Sequence, residues 1–170
     1  MKQNDLINLK NIFGFDQYRK GQEEIIKEVL GGKDILTIMP TGAGKSLCFQ
    51  LPATLFDGLT IVVSPLIALM QSQVEQLKLL GVKAGCVNSS NSLEENKETL
   101  TMLRNNKLKM LYIAPERLIK RETINLLKTK KISLLAIDEC HCISQFGHDF
   151  RKEYLKLGEI RKELSMVQTI

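Results

Sequence analysis

Lys45 stands next to last in the run Met39-Pro40-Thr41-Gly42-Ala43-Gly44-Lys45-Ser46, and its chemistry depends on what precedes it. Gly42 and Gly44 let the backbone turn so that successive N–H groups face inward, and a helix starting after Ser46 adds the positive end of its dipole. A nest of this kind holds a polyphosphate. Thr41, Gly42, Ala43 and Gly44 form the cradle, Lys45 reaches the β and γ phosphates as a compact cation, and the Ser46 hydroxyl is offered to Mg²⁺. The strict pattern has a glycine six residues before the lysine, where Met39 stands. A plain Gly-rich turn is the competing reading, and a second motif decides against it.

That motif is Asp138-Glu139-Cys140-His141, directly after the apolar run Ile132-Ser133-Leu134-Leu135-Ala136-Ile137. Carboxylates at the C-terminal end of a central parallel strand sit where open α/β sheets bind ligands. Asp138 is placed to hold Mg²⁺ through its water shell. Glu139 is placed to orient and deprotonate an attacking water, since phosphoryl transfer demands positioning and charge neutralisation. Two adjacent acids can also be a solvated strand end, but their place downstream of a phosphate loop argues against it.

These groups need a scaffold, and the chain supplies alternating strand and helix patterns. Ile35 to Ile38 reads as a strand entering the phosphate loop, with a helix from Leu47 after it. Asn4-Asp5 caps a short helix through Lys10, and a second helix runs from about Lys20 to Leu30, stopped by Gly31-Gly32. Strands are expected at Leu59–Val63, Ala84–Val87, Lys109–Ile113 and 132–137. Helices are expected from Leu66 to Leu80 (buried face Leu66, Leu69, Met70, Val74, Leu77, Leu80), Leu93 to Leu103 and Glu122 to Lys128, with a helical turn at Pro115. Such alternation predicts one α/β domain with a mostly parallel sheet and helices on both faces.

Composition narrows the setting. The 170 residues, 44% hydrophobic, have the size of one domain. A net charge of +5 and a pI near 9.0 favour an anionic partner. Between Arg104 and Lys131 nine basic residues face two acidic ones. Most of such a run is a solvated face, but Arg117 stands beside a helix start at the strand C-terminal edge, where a nucleic-acid backbone could pass. The four cysteines form no disulfide-like framework, and Cys140-x-Cys142 lacks a second ligand pair for zinc. The expected compartment is a reducing cytoplasm, with no membrane partner, because no apolar run approaches the ~20 residues of a span.

Six of the nine aromatics flank the two motifs: Phe13, Phe15 and Tyr18 upstream, and Phe146, Phe150 and Tyr154 downstream. Phe15 with Arg19 and Gln22 could stack on a base and read its edge; a hydrophobic anchor with surface polar groups is the simpler alternative. Phe146, Phe150 and Arg151 could stack bases of a single strand, or tuck into the core.

Together these stretches resemble the RecQ DNA helicases, in the first of their two RecA-like motor domains. The resemblance is carried by residues 13–26, by the Walker A run, by Val62-Val63-Ser64-Pro65-Leu66-Ile67-Ala68-Leu69-Met70, by Tyr112-Ile113-Ala114-Pro115-Glu116-Arg117-Leu118, and by residues 138–151. It implies a three-layer RecA-like P-loop fold and, for the parent protein, ATP-dependent 3′ to 5′ unwinding of DNA in repair and recombination. It implies adenine contacts from Phe15, Arg19 and Gln22, and strand contacts near Ser64, Pro65 and Arg117. In the family, the loop Gln145, Phe146, His148, Asp149, Phe150, Arg151 senses single-stranded DNA and relays it to hydrolysis. The implied cofactors are ATP and Mg²⁺; the partners are single-stranded and partially duplex DNA, in a nucleoid-associated setting.

Three residues depart from the family pattern: Cys140 where alanine is usual, Phe146 where tryptophan is expected, and Lys152 where proline is common. The chain stops at Ile170, in what resembles the strand leading to the next motif. The second motor domain with its arginine finger, the zinc module and the winged helix are not in it. An arginine finger is worth ~10³-fold or more in turnover, so this piece alone is expected to hydrolyse slowly and not to unwind. A different class stays open, a nucleotide-dependent DNA-binding switch without productive hydrolysis. A GTPase would need an Asn-Lys-x-Asp reader, which Asn96-Lys97-Glu98-Thr99 misses, and a small-molecule kinase would not need the aromatic run.

Overall fold

The computed structural model describes residues 2–144 and 151–170, with side chains from residue 6 onward. Two helices come first: α1 (Lys2–Phe13) and α2 (Gln22–Leu30). The first starts before the expected Asn4-Asp5 cap and ends at Gly14, whose φ of 73° a residue with Cβ adopts only at a cost. The rest alternates: α3 (Leu47–Leu55), β1 (Leu59–Val63), α4 (Ile67–Leu79), β2 (Ala84–Val87), α5 (Leu93–Arg104), β3 (Met110–Ile113), α6 (Pro115–Leu118), α7 (Arg121–Leu127), β4 (Ile132–Ile137) and α8 (Leu157–Glu163). The clearest start signal is at α5, where Ser92 and Glu95 form a capping box.

All four strands are parallel, in the order β2-β3-β1-β4. They are almost wholly apolar, Thr60 and Ser133 apart, because both sheet faces are covered. Ile61, Val63, Leu111, Ile113 and Leu135 point into a core shared with Leu127, Leu157 and Ile160. Val62, Met110, Tyr112, Leu134 and Ala136 point the other way, onto Phe49, Met70, Val74 and Leu77. A smaller cluster of Leu9, Ile26, Leu47 and Leu51 fastens α1 and α2 to α3. The fold is therefore three layers, as the alternation predicted.

One expected strand is missing, and on α4 the expected buried face is only half right, since Leu66, Leu69 and Leu80 are exposed. Residues 35–38 form no strand, although they are as β-prone as β1. A strand exists only by pairing, and here the Ile35 N–H finds the Thr169 carbonyl at 3.0 Å while no described strand lies beside 36–38. Ile38 is consequently 91% exposed. Thr169 itself bridges in parallel to Leu135, so the last residues extend the sheet beyond β4. Among the described residues no helix is long and apolar enough to cross a membrane.

Candidate functional site

The C-terminal end of β4 and the segment leading into α3 meet in a cleft of about 850 Å³, lined by Lys45, Asp138 and Glu139 together with apolar groups such as Ile38, Phe49 and Tyr154. The two motifs, more than ninety residues apart in sequence, thus share one site.

The phosphate loop has the backbone its glycines foreshadow, with φ of 78° at Gly42 and 82° at Gly44. Among the described residues no carbonyl accepts from the amides of Gly44, Lys45 or Ser46, which leaves the cradle donors for an anion. Ala43 is different, since its amide donates to Pro40 O at 3.2 Å. Thr41 and Gly42 are exposed at the loop tip.

Arg19 and Gln22 are turned onto this loop. Arg19 Nη1 donates to Gly42 O at 2.7 Å, and Gln22 Nε2 donates to Ala43 O at 3.3 Å and Gly44 O at 3.0 Å. The Gln22 amide oxygen accepts from Arg19 N at 2.8 Å, and the side chain is 2% exposed. Both residues expected to read a base therefore support the cradle first. Phe15, 47% exposed, keeps a ring face open to solvent.

On the acidic side β4 delivers Asp138, whose N–H bonds Val63 O at 2.9 Å and whose carbonyl accepts from the buried Tyr154 hydroxyl at 2.9 Å. Burial, and then the neighbouring Glu139 charge, push the Asp138 carboxyl above its ordinary range. The Glu139 amide at 3.0 Å, the Ser64 hydroxyl at 3.4 Å and the Lys45 ammonium pull the other way. Lys45 and Asp138 line the same cleft. Glu139 sits in left-handed backbone at φ 52°, ψ 43°, an uncommon conformation for a non-glycine that aims its side chain out of the strand direction. Its carboxylate lies 3.2 Å from His141 Nδ1.

A magnesium-bound triphosphate suits this donor set. Ser46 and Asp138 offer hard oxygen ligands, and Mg²⁺ takes one or two protein oxygens, completing its shell with phosphate and water. The free amides and Lys45 match the anionic part.

The proposed strand contacts divide. Ser64 is 2% exposed and its hydroxyl faces Asp138, so it sits beneath the sheet edge rather than on it; Pro65 is buried as well. Arg117, half-buried on α6 one turn past β3, lies at the edge. Arg151 is exposed, its amide bonded to Cys142 O at 2.9 Å. Gln145, Phe146, His148, Asp149 and Phe150 lie outside the described residues.

Sequence reasoning missed Gln50, Gln73 and Tyr112. Gln73 Nε2 donates to Ser46 Oγ at 3.2 Å, and the three side chains bond one another. A signal was present: Gln73 shares the i, i+3, i+4, i+7 stripe of Met70, Val74 and Leu77, where a polar residue needs a reason.

Comparisons with known proteins agree with this geometry. The sequence pattern of the DEAD/DEAH box helicase family matches residues 19–170. The ATP-dependent DNA helicase RecQ of Haemophilus influenzae is 50% identical over 153 residues, covering 90% of this chain and 25% of that protein. The probable ATP-dependent DNA helicase RecS of Bacillus subtilis is 47% identical over 157 residues, 92% of this chain and 31% of that protein. This chain thus spans between a quarter and a third of those relatives' length. A crystal structure of a hypothetical ATP-dependent RNA helicase from Sulfolobus tokodaii superposes with a TM-score of 0.74 at 17% identity, covering 98% of this chain and 48% of that one, which shows a shared RecA-like fold.

Proposed function

Because the chain belongs to the DEAD/DEAH box helicase family, we propose that it is the ATP-binding motor domain of a RecQ-like DNA helicase, coupling ATP hydrolysis to 3′ to 5′ movement on single-stranded DNA and to unwinding in repair and recombination. The observation that carries this reading is the shared cleft of Lys45, Asp138 and Glu139. Bound Mg²⁺–ATP supplies the transferable phosphoryl group and the charge that the metal neutralises. Lys45 and the Gly44–Ser46 amides hold the phosphates. Ser46 and Asp138 hold the metal. Glu139 orients a water and takes its proton, and Phe15 covers the adenine, with Arg19 and Gln22 passing from loop carbonyls to the base edge. Arg117 and the segment from Gln145 to Arg151 contact the strand. A second RecA-like domain of the longer protein closes the cleft and adds a further cation.

The test is an ATPase assay with and without single-stranded DNA, on this piece and on the longer parent. In the parent, DNA stimulates turnover and Glu139→Gln removes about 10²-fold or more of it. A parent without DNA-stimulated turnover, or indifferent to Glu139→Gln, replaces the motor with the nucleotide-dependent switch.

A further inference from the structure

Ser46 Oγ, the hydroxyl assigned above to the metal, is already gripped from behind. Gln73 on α4 donates Nε2–H to it at 3.2 Å. The other end of that amide is fixed as well. Gln50 Nε2 donates to Tyr112 Oη at 2.9 Å, which commits the Tyr112 proton to Gln73 Oε1, also at 2.9 Å. Gln50 Nε2 also lies 3.3 Å from Gln73 Oε1. With its oxygen facing two donors, the Gln73 amide has one orientation, and its NH₂ must face Ser46.

The setting makes this arrangement costly unless complete. Gln73 is 9% and Tyr112 1% exposed, and the packing around them is Phe49, Met70, Val74 and Leu77. Burial also pushes the Tyr112 phenol up, so it stays a donor. A satisfied polar network in an apolar layer enforces one geometry, whereas a half-satisfied one destabilises it. A hydroxyl has two lone pairs and one proton. With Gln73 on one lone pair, the other lone pair and the proton of Ser46 are left for the phosphate side.

We propose that Gln73 is a positioning residue which, with Tyr112 and Gln50 behind it, presets Ser46 Oγ as a magnesium ligand. The proposal rests on the phosphate-loop reading given under Proposed function. Its mark is selectivity: Gln73 strengthens the metal-dependent part of nucleotide affinity and leaves the metal-independent part alone.

The experiment titrates this chain with a fluorescent non-hydrolysable ATP analogue, once with Mg²⁺ and once with EDTA, and takes the ratio of affinities. Gln73→Met fills the same space without an amide. Its Mg²⁺ advantage is expected to fall about 10-fold or more, as for other groups that orient a metal ligand, with the EDTA affinity unchanged. Tyr112→Phe keeps the ring and only loosens Gln73, so a smaller fall of about 2–10-fold is expected. In a Ser46→Ala background, Gln73→Met adds nothing. Equal losses in Mg²⁺ and EDTA, as simple packing damage gives, overturn the proposal, and so does an undiminished Mg²⁺ advantage in Gln73→Met. If the unsubstituted chain binds the analogue in neither buffer, the phosphate-loop reading fails first and takes the proposal with it.

Discussion

Replacing Gly44 by alanine tests whether Gln22 braces the phosphate loop. A Cβ at Gly44 meets two penalties. The backbone φ of 82° costs a residue with Cβ roughly 1–2 kcal/mol. The new methyl would also stand 2.5 Å from Gln22 Nε2, so Gln22 must leave Ala43 O and Gly44 O. Because Gln22 is buried, losing those bonds costs about 1–2 kcal/mol more. Gly42 supplies the control: its φ is 78°, but an added Cβ meets nothing within 4 Å. The expected loss is therefore about 2–4 kcal/mol for Gly44→Ala and about 1–2 kcal/mol for Gly42→Ala. For a domain of this size each kcal/mol moves Tm by about 2–4 °C, so Gly44→Ala should melt about 2–8 °C below Gly42→Ala. Thermal unfolding followed by circular dichroism, without nucleotide, measures the gap. Gln22→Ala should close most of it, since the displaced amide is then already gone. Equal melting of the two glycine variants would refute the bracing contact.

Lys45→Ala should abolish detectable binding of an ATP analogue while Tm stays within about 2 °C, as expected for a half-exposed loop residue outside the core; an unchanged titration curve would contradict the phosphate-loop assignment. Asp138→Asn should stabilise the protein at pH 7. The folded carboxyl prefers its proton more than the unfolded one does, so its contribution is fully present below the unfolded pKa and is lost as pH rises through the raised folded value. At neutral pH the charged form is a net cost that asparagine removes. The melt should rise by more than about 2 °C at pH 7, and the gain should shrink toward pH 4; a gain that grows on acidification has the wrong sign.

Sequence and structure agree most closely where a short apolar run is bounded by turn residues. Leu59–Val63, Ala84–Val87 and Ile132–Ile137 form strands at the bounds their patterns predict. Residues 35–38 have the same character and form none, because pairing depends on a neighbour that local pattern does not encode. Helix α4 shows a second limit. Periodicity assigned Leu66, Leu69 and Leu80 to its buried face, yet all three are exposed. The face that docks is Met70, Gln73, Val74 and Leu77, one polar residue among three apolar ones. Reading hydrophobic periodicity alone favours the leucine-rich stripe and discards the glutamine that touches Ser46. The motif residues were legible for the opposite reason: Lys45, Ser46, Asp138 and Glu139 are recognised by type and order, which survive without knowledge of packing.

The same glutamine bears on how events at the sheet edge could reach the phosphates. Residues 64 to 73, the short connection after β1 and the first half of α4, touch the site twice. Ser64 holds the Asp138 carboxylate at 3.4 Å from one end, and Gln73 holds the Ser46 hydroxyl at 3.2 Å from the other. Those are the two protein oxygens assigned to the metal. The Gln73 bond lies at the long end of the N–H···O range and the Ser64 contact is longer than an ordinary O–H···O bond, so of the two Gln73 is the firmer hold. A shift of α4 is therefore felt first at Ser46, through the network of Gln73, Tyr112 and Gln50, since interiors packed this closely pass on shifts of a fraction of an ångström.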